Sequence, residues 1–343
     1  MIPLPAVFIG PNGLRAGWRL LIFVAMLVPL YFGTDPIIDF ALRRLHQEMS
    51  TPAGVLVVFS ITLAALFLAS GIMARIEGRS IADYGLPWRR AFCGQFWQGA
   101  AISFVSLTAL LCGLRIAGVF SFGSLALHGA DIWRYGVLWA LAFFLGVLTE
   151  DFLYRGYLLF TLTTGIGFWP AAVVTSLLMG GAHFLNPGGH GLGPFITFLY
   201  CLVSCLVIRR TGDLWMALGI HGAWDWGAAF FYGVPTGGQI GQGHLLNASL
   251  HGPAWLTGGT FGPECGLAQC GAARDLGNPL LRVAAWSEVP QPCRHSRSAS
   301  SWERATASLI ARNRYGFFGV KPQACLTRLG SRPAGEKLAI SGP

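Results

Sequence analysis

Six polar side chains stand within or at the edges of otherwise apolar stretches, and they are the residues best suited to do chemistry. They are Glu150, Asp151, Arg155, His183, His221 and Asp225. In a helix, His221 and Asp225 share a face, whereas Glu150 and Arg155 lie on neighbouring parts of a turn and a half. A carboxylate beside an imidazole can deprotonate a water, and a second imidazole can stabilise an oxyanion or hold a metal. The pattern indicates a hydrolase-like site inside a membrane.

Each of these groups also has an interpretation without catalysis. Glu150 and Arg155 could form a structural ion pair, and a single intramembrane histidine is more often a hydrogen-bonding group between helices. A transporter or proton channel would use the same residue types, although no inverted repeat with broken helices is visible. Two histidines together with a Glu-Asp pair in one bundle favour a catalytic or binding site over purely structural roles.

The elements that must position these groups are membrane-spanning helices. Hydrophobic residues make up 53% of the 343-residue chain and charged residues only 11%, against about 25% charged in soluble proteins. Apolar runs long enough for a hydrocarbon core fall at about Trp18–Phe32, Gly54–Ala74, Phe96–Ala117, Tyr135–Thr149 continuing toward Phe160, Phe168–Ala182, Leu192–Ile208 and Leu214–Tyr232. We predict an all-α, polytopic transmembrane bundle of about seven helices. Residues 1–13 lack signal-peptide features, so we expect the first run to be retained.

The arginines predict an orientation, because positively charged loops tend to stay cytoplasmic. With alternating spans, Arg15/Arg19, Arg75/Arg79/Arg89/Arg90 and Arg209/Arg210 fall on one side. Arg43 and Arg44 disagree, and we expect them in a loop with Asp35, Asp39 and Glu48. The prediction is an integral protein of a bacterial plasma membrane with a cytoplasmic N-terminus.

The net charge of +9 is concentrated near the end of the chain. From Cys270 onward 11 Arg/Lys face 4 Asp/Glu, a net +7, whereas the preceding residues carry 13 against 11. We therefore predict a transmembrane domain at 1–265 and an irregular, disordered basic tail at 266–343, and no nucleic-acid partner. The cysteines show no C-x-x-C pair or zinc-finger spacing and indicate no disulfide framework.

Three segments carry a resemblance to a known family. Glu150-Asp151-Phe152-Leu153-Tyr154-Arg155, Met179-Gly180-Gly181-Ala182-His183 and His221-Gly222-Ala223-Trp224-Asp225 resemble, in order, the three motifs of the CPBP intramembrane proteases, the Abi family that includes type II CAAX prenyl endopeptidases. Connecting segments also look like bacterial members, and the resemblance covers about residues 10 to 266.

The resemblance implies a fold of about eight helices and an intramembrane endopeptidase that cuts near the cytoplasmic side. By carry-over, Glu150 and His183 would activate the attacking water, His221 with Asp225 would bind the oxyanion or complete a metal site, and Arg155 would orient the Glu150 region. The family is often described as metalloproteases, so zinc is a candidate cofactor, with Glu150, His183 and His221 as ligands if a metal is used. A glutamate-dependent mechanism stays open.

The chain departs from the family pattern at three motif positions and in its tail. Asp151 replaces a second Glu, Met179 replaces an aromatic, and Asp225 replaces Asn, which adds a negative charge beside His221. In relatives a last transmembrane helix follows the Gly262-Pro263-Glu264 stretch. Here the composition changes abruptly, and we hypothesise that a frameshift replaced that helix from about residue 266, which resequencing of the gene would test.

The leading hypothesis is an intramembrane protease whose partners are membrane lipid and a peptide or protein substrate. The alternatives are a non-catalytic scaffold or immunity-type relative and a proton or ion transporter. Loss of the last helix would raise the first alternative, because a bundle missing one wall can open to water. The sequence gives neither the substrate nor the oligomeric state.

Overall fold

The computed structural model describes residues 8–10, 13–186 and 192–265, and this part of the chain is a bundle of helices. The prediction of a polytopic helical bundle is confirmed, with six helices long and apolar enough to cross a membrane among the described residues. The predicted tail at 266–343 lies outside the described residues.

The helices follow the apolar runs closely. The bounds are α1 Ala16–Leu45, α2 Pro52–Glu77, α3 Gly94–Ile116, α4 Ala130–Asp151, α5 Leu159–Ile166, α6 Phe168–Ala182, α7 Gly193–Thr211, α8 Trp215–Trp226 and α9 Ala254–Thr257. A π-helical segment, Phe152–Leu158, joins α4 to α5, and a second, Gly227–Tyr232, extends α8. Short 3₁₀ turns cover Ile81–Tyr84, Trp88–Arg90, His183–Leu185 and Pro263–Cys265.

Two of the predicted runs differ from the structure in an informative way. Helix α1 continues to Leu45, so Asp39 and Arg43 lie in its last turns rather than in a loop. The run Leu214–Tyr232 is helical, but it is not among the six candidate spans. This segment carries His221 and Asp225, and these polar side chains make its transfer into lipid less favourable. The segment packs against other helices instead.

Local sequence explains where α2 begins and ends. The Thr51 side chain accepts a hydrogen bond from the Gly54 amide, and Pro52 occupies the first helical turn, where no amide donor is needed. Gly78 ends the helix in the left-handed conformation. These signals fix the register with which α2 presents its side chains to α4.

Close packing of α3 against α8 depends on glycine. A Cβ atom at Gly219 would overlap the backbone carbonyl of Phe96, and one at Gly99 would overlap that of Met216. The two helices therefore approach through small residues, as helices often do in membranes. This approach fixes the position of α8, which carries His221.

The connectors gather at two ends of the bundle. At the first, which we call the arginine-rich end, the Leu214 amide donates to the Gly85 carbonyl at 2.8 Å, and Arg90 pairs with Asp213 at 3.0 Å. At the opposite end, strand β3 (Phe120–Ser121) pairs with β4 (Ser249–Leu250), antiparallel. A smaller antiparallel pair, β1 (Ile9–Gly10) with β2 (Gly13–Leu14), precedes α1.

Candidate active site

One cavity of about 750 Å³ gathers four of the six chemistry-bearing residues. Glu150 reaches it from α4, His183 from the end of α6, and His221 and Asp225 from α8. The wall is otherwise mainly apolar, with aromatic side chains from several helices. Asp151 and Arg155 do not line the cavity and lie fully buried behind it.

The first motif presents its two carboxylates to different surroundings. Successive residues of a helix point about 100° apart, so Glu150 can face the cavity while Asp151 is buried. Asp151 Oδ1 accepts a hydrogen bond from Arg155, four residues along the chain. The ion pair suggested between Glu150 and Arg155 is therefore wrong, because an i,i+4 spacing places Asp151, not Glu150, on the face of Arg155.

His221 lies between two carboxylates. Its Nδ1 is 3.0 Å from Asp151 Oδ1, and its Nε2 is 3.6 Å from Asp225 Oδ2. A carboxylate can only accept, so Nδ1–H donates to Asp151. The buried Asp151–Arg155 pair thus fixes the imidazole plane of His221 and leaves Nε2 toward the cavity and Asp225.

His183 has a hydrogen bond that fixes its tautomer. Its Nδ1 is 2.9 Å from the Met179 carbonyl oxygen, so Nδ1–H is the donor. In the neutral ring, Nε2 is then free to accept a hydrogen bond, such as one from a water. Met179 Sδ also lies 3.2 Å from Arg155 Nη2, so the methionine that replaces an aromatic contacts the buried guanidinium.

Two further polar residues of the cavity were missed in the sequence. Glu264 accepts hydrogen bonds from the Thr236 hydroxyl at 2.8 Å and from the Gly237 amide, and Thr236 also lies 3.4 Å from Asp225 Oδ1. Burial raises the pKa of the Glu264 carboxyl, although these hydrogen bonds oppose the shift. The Tyr200 ring meets His221 edge-to-face, with ring centroids 5.5 Å apart, and its centroid lies 5.1 Å from the Arg155 guanidinium carbon.

No sequence signal distinguished these two residues. Glu264 lies in a loop, more than a hundred positions from Glu150, and Tyr200 is one aromatic residue in an apolar helix. Only the return of the 233–264 segment over the helix ends brings the Glu264 carboxylate to the cavity.

The residues proposed as zinc ligands do not fit that role in this arrangement. Among the described residues, no group of three or more His, Cys, Asp or Glu side chains could hold a metal ion. Each histidine donates Nδ1–H to an oxygen atom, as metal-bound histidines commonly do, so these hydrogen bonds are compatible with either role. No catalytic step is therefore assigned to a metal.

Comparison with known proteins identifies the family of this region. Residues 132–227 match the family model described as type II CAAX prenyl endopeptidase Rce1-like. The match begins near the start of α4, ends just after α8 and contains all three motifs. No curated protein and no solved structure matches the chain. The chain is an integral membrane protein, and its residues 132–227 match the Rce1-like type II CAAX prenyl endopeptidases, a membrane protease family.

Proposed function

We propose that the chain is an intramembrane endopeptidase in which Glu150 and His183 activate a water and His221 stabilises the oxyanion. The observation that carries this proposal is that Glu150, His183, His221 and Asp225 line one cavity. That cavity has a volume suited to a short stretch of peptide. The substrate is a peptide or protein within the lipid bilayer.

In the proposed reaction, Glu150 takes a proton from a water while His183 Nε2 accepts the second hydrogen bond of that water. The water oxygen attacks the carbonyl carbon and forms a tetrahedral intermediate. Glu150 then returns the proton to the amide nitrogen as the carbon–nitrogen bond breaks, which yields a carboxylate and an amine.

His221 and Asp151 have supporting parts in this proposal. A ring held between Asp151 and Asp225 can carry a proton on each nitrogen, so that Nε2–H is available to the oxyanion. Asp151 and Arg155 are positioning residues, because they are buried and act through His221.

The experiment is cleavage of a peptide library by purified protein in lipid vesicles. Glu150→Gln removes the base but keeps its shape, and we expect a loss of about 10²–10⁴-fold in rate. His183→Ala should be similarly impaired. Glu48→Gln is the matched control, because Glu48 is an exposed glutamate outside the cavity. Full activity in Glu150→Gln would refute the proposed base, and inactivity of the unmodified chain would favour the non-catalytic scaffold.

We further propose that the N-terminus is cytoplasmic. The arginine distribution supports this orientation, since Arg15, Arg75, Arg79, Arg89 and Arg90 belong to one end of the bundle. A protease-accessible tag placed at the N-terminus tests it, because protection in intact cells is the expected result.

A further inference from the structure

One part of the cavity wall comes from a segment outside the membrane-length helices. Residues 233–264, which we call the strap, follow the second π-helical segment. The strap contributes 236–237, 239–241, Phe261 and Glu264 to the wall. None of these residues takes part in the steps of the proposed reaction, although they border the same cavity as His221 and Asp225.

Backbone contacts hold the two limbs of the strap together. The Gly238 amide donates a hydrogen bond to the Phe261 carbonyl at 2.9 Å. Gly262 has a φ angle of +126°, and a Cβ atom there would overlap the Pro235 carbonyl, so this close approach requires glycine. These contacts bring the Glu264 carboxylate to the residues that follow Pro235.

Three donors converge on the Glu264 carboxylate. Its Oε1 accepts from the Gly237 amide, and its Oε2 accepts from the Thr236 hydroxyl at 2.8 Å and from Trp224 Nε1 at 3.4 Å. In the described part of the chain, these hydrogen-bond donors are all neutral groups. A neutral amide would anchor a loop at a smaller desolvation cost than a partly buried carboxylate, so the acidic residue indicates a role beyond anchoring.

The groups bound by Glu264 lie on two sides of Asp225. Trp224 directly precedes Asp225 in α8, and Thr236 Oγ1 lies 3.4 Å from Asp225 Oδ1. A hydroxyl group has one proton to donate, and the shorter distance of 2.8 Å assigns that proton to Glu264. Glu264 therefore determines the direction of the Thr236 hydroxyl and holds its oxygen against Asp225.

The contacts of Asp225 extend this arrangement to His221. Asp225 Oδ2 lies 3.6 Å from His221 Nε2, while Oδ1 of the same carboxyl group faces Thr236. Rotation of that carboxyl group away from His221 would also remove Oδ1 from Thr236. The imidazole is thus positioned by Asp151 at Nδ1 and, through Asp225, by the strap at Nε2.

We propose that Glu264 is a further positioning residue of the active site, which acts through Thr236 and Asp225 on His221. This inference rests on the proposed endopeptidase function, in which His221 Nε2–H stabilises the oxyanion. A residue that only anchors a loop would change stability and substrate binding. A residue that orients His221 instead changes the rate of the chemical step, so kcat and KM separate the two roles.

The kinetic test is peptide cleavage in lipid vesicles, with kcat and KM measured separately. Glu264→Gln keeps the size of the side chain but replaces one acceptor by a donor, and Thr236→Val removes the hydroxyl at nearly constant volume. We expect each variant to lower kcat by about tenfold with little change in KM. Gln242→Ala is the matched control, because Gln242 binds Ser50 at 3.0 Å, elsewhere on the strap, and does not line the cavity. Its kcat should be unchanged.

The double variant tests whether Glu264 acts through Thr236. In the Thr236→Val protein, Glu264→Gln should lower kcat by less than about twofold more, because the link is already broken. Multiplicative losses, or an unchanged kcat in either single variant, would overturn the proposal. If thermal unfolding shows that Glu264→Gln does not fold, Thr236→Val decides alone, since it keeps the hydrogen bonds of Glu264 to Gly237 and Trp224.

A spectroscopic measurement separates this proposal from the proposed function. In protein with isotopically labelled histidine, the nitrogen NMR signal of His221 Nε2 is identified by its loss in His221→Gln. We expect this signal to shift in Glu264→Gln and to stay in place in Gln242→Ala. If it shifts but the unmodified chain cuts no peptide, the endopeptidase function fails while the role of Glu264 stands. If peptides are cut and the signal does not shift, the positioning role is refuted and the endopeptidase function stands.

Discussion

Two adjacent carboxylates, Glu150 and Asp151, have different surroundings. We assign them different roles for that reason, with Glu150 as the proposed base and Asp151 as a positioning residue. Glu150 borders the cavity, where a water and a peptide carbonyl can reach it. Asp151 is fully buried and bonded to Arg155 and His221. An aspartate suffices at that position because its partner is four residues away on the same helix, and no long reach is needed.

The burial of Arg155 makes its ion pair sensitive to loss of Asp151. We expect Asp151→Asn to lower the free energy of unfolding by about 3–5 kcal/mol, because the guanidinium would remain buried without its carboxylate. Asp151→Glu is the matched variant, since it keeps the charge and restores the residue of the resembling family motif. Thermal unfolding in lipid nanodiscs compares them, and equal stability of Asp151→Asn and the unmodified chain would contradict a paired Arg155.

The arrangement of both histidines bears on metal dependence. Their Nδ1–H groups donate to oxygen partners, which leaves each Nε2 available, but Glu150, His183 and His221 are not gathered into a metal site in the part of the chain that the structure describes. We expect EDTA to leave the rate of peptide cleavage unchanged. If EDTA abolished cleavage and added zinc restored it, these side chains would have to rearrange around a metal.

At the scale of elements, one π-helical segment overlaps the first motif and a second follows the third. Phe152–Leu158 begins directly after Asp151 and contains Arg155, and Gly227–Tyr232 begins two residues after Asp225. A π-helical turn widens the helix and changes the direction of the side chains after it, and such turns are frequent at functional sites. Periodicity in the sequence does not predict them, because it reports the average α-helical repeat.

The close contact between α3 and α8 predicts that a side chain added at Gly219 destabilises the protein. We expect Gly219→Ala to destabilise the protein by about 1–3 kcal/mol, since its Cβ would overlap the Phe96 carbonyl and separate the helices. Gly222→Ala is the matched control, because nothing lies within 4 Å of an added Cβ there. Its stability should be unchanged or higher, as alanine favours helix by about 1 kcal/mol.

Thermal unfolding of both glycine variants supplies the measurement. A larger loss of stability in Gly222→Ala than in Gly219→Ala would contradict the prediction that the close approach of α3 and α8 requires glycine at position 219. Cleavage by the surviving fraction adds a second readout, because displacement of α8 would also move His221.

The sequence predicted helix positions far better than side-chain partners. Six apolar runs became membrane-length helices, because hydrophobic length alone decides whether a segment can span lipid. The position of Glu264 could not be predicted, because it depends on how distant segments fold together. The partner of Arg155 is local, since the i,i+4 spacing favours Asp151 over Glu150.

At the scale of the whole molecule, the cavity lies in one half of the bundle, and the other half, at the arginine-rich end, is packed with buried apolar side chains. Such an arrangement lets water reach Glu150 without opening a path through the bundle. The packed half must then hold the first helices firmly, because α1 contacts the rest over only part of its length, with many large apolar side chains exposed toward lipid.

A buried ion pair joins α1 to the packed half. Arg19 Nη1 lies 2.8 Å from Glu77 Oε2, and their side chains are 6% and 4% exposed. Glu77 also accepts a hydrogen bond from Tyr157 at 3.2 Å, in the segment that follows Asp151. This pair therefore links α1, α2 and the π-helical segment next to the site.

We expect Glu77→Gln to lower the free energy of unfolding by about 3–5 kcal/mol, because Arg19 would remain buried beside a neutral amide. Asp39→Asn is the matched control, since it removes an exposed partner of Arg43 and should cost at most about 1 kcal/mol. Thermal unfolding in nanodiscs measures both. Replacement of Arg19 and Glu77 together by methionine should recover part of the loss, because the buried Arg19 charge is removed with its partner, whereas Arg79, 3.8 Å from Glu77, keeps its charge. If Glu77→Gln were no more harmful than Asp39→Asn, the pair would not hold α1 in place, and the stability of the packed half would have to come from apolar contacts alone.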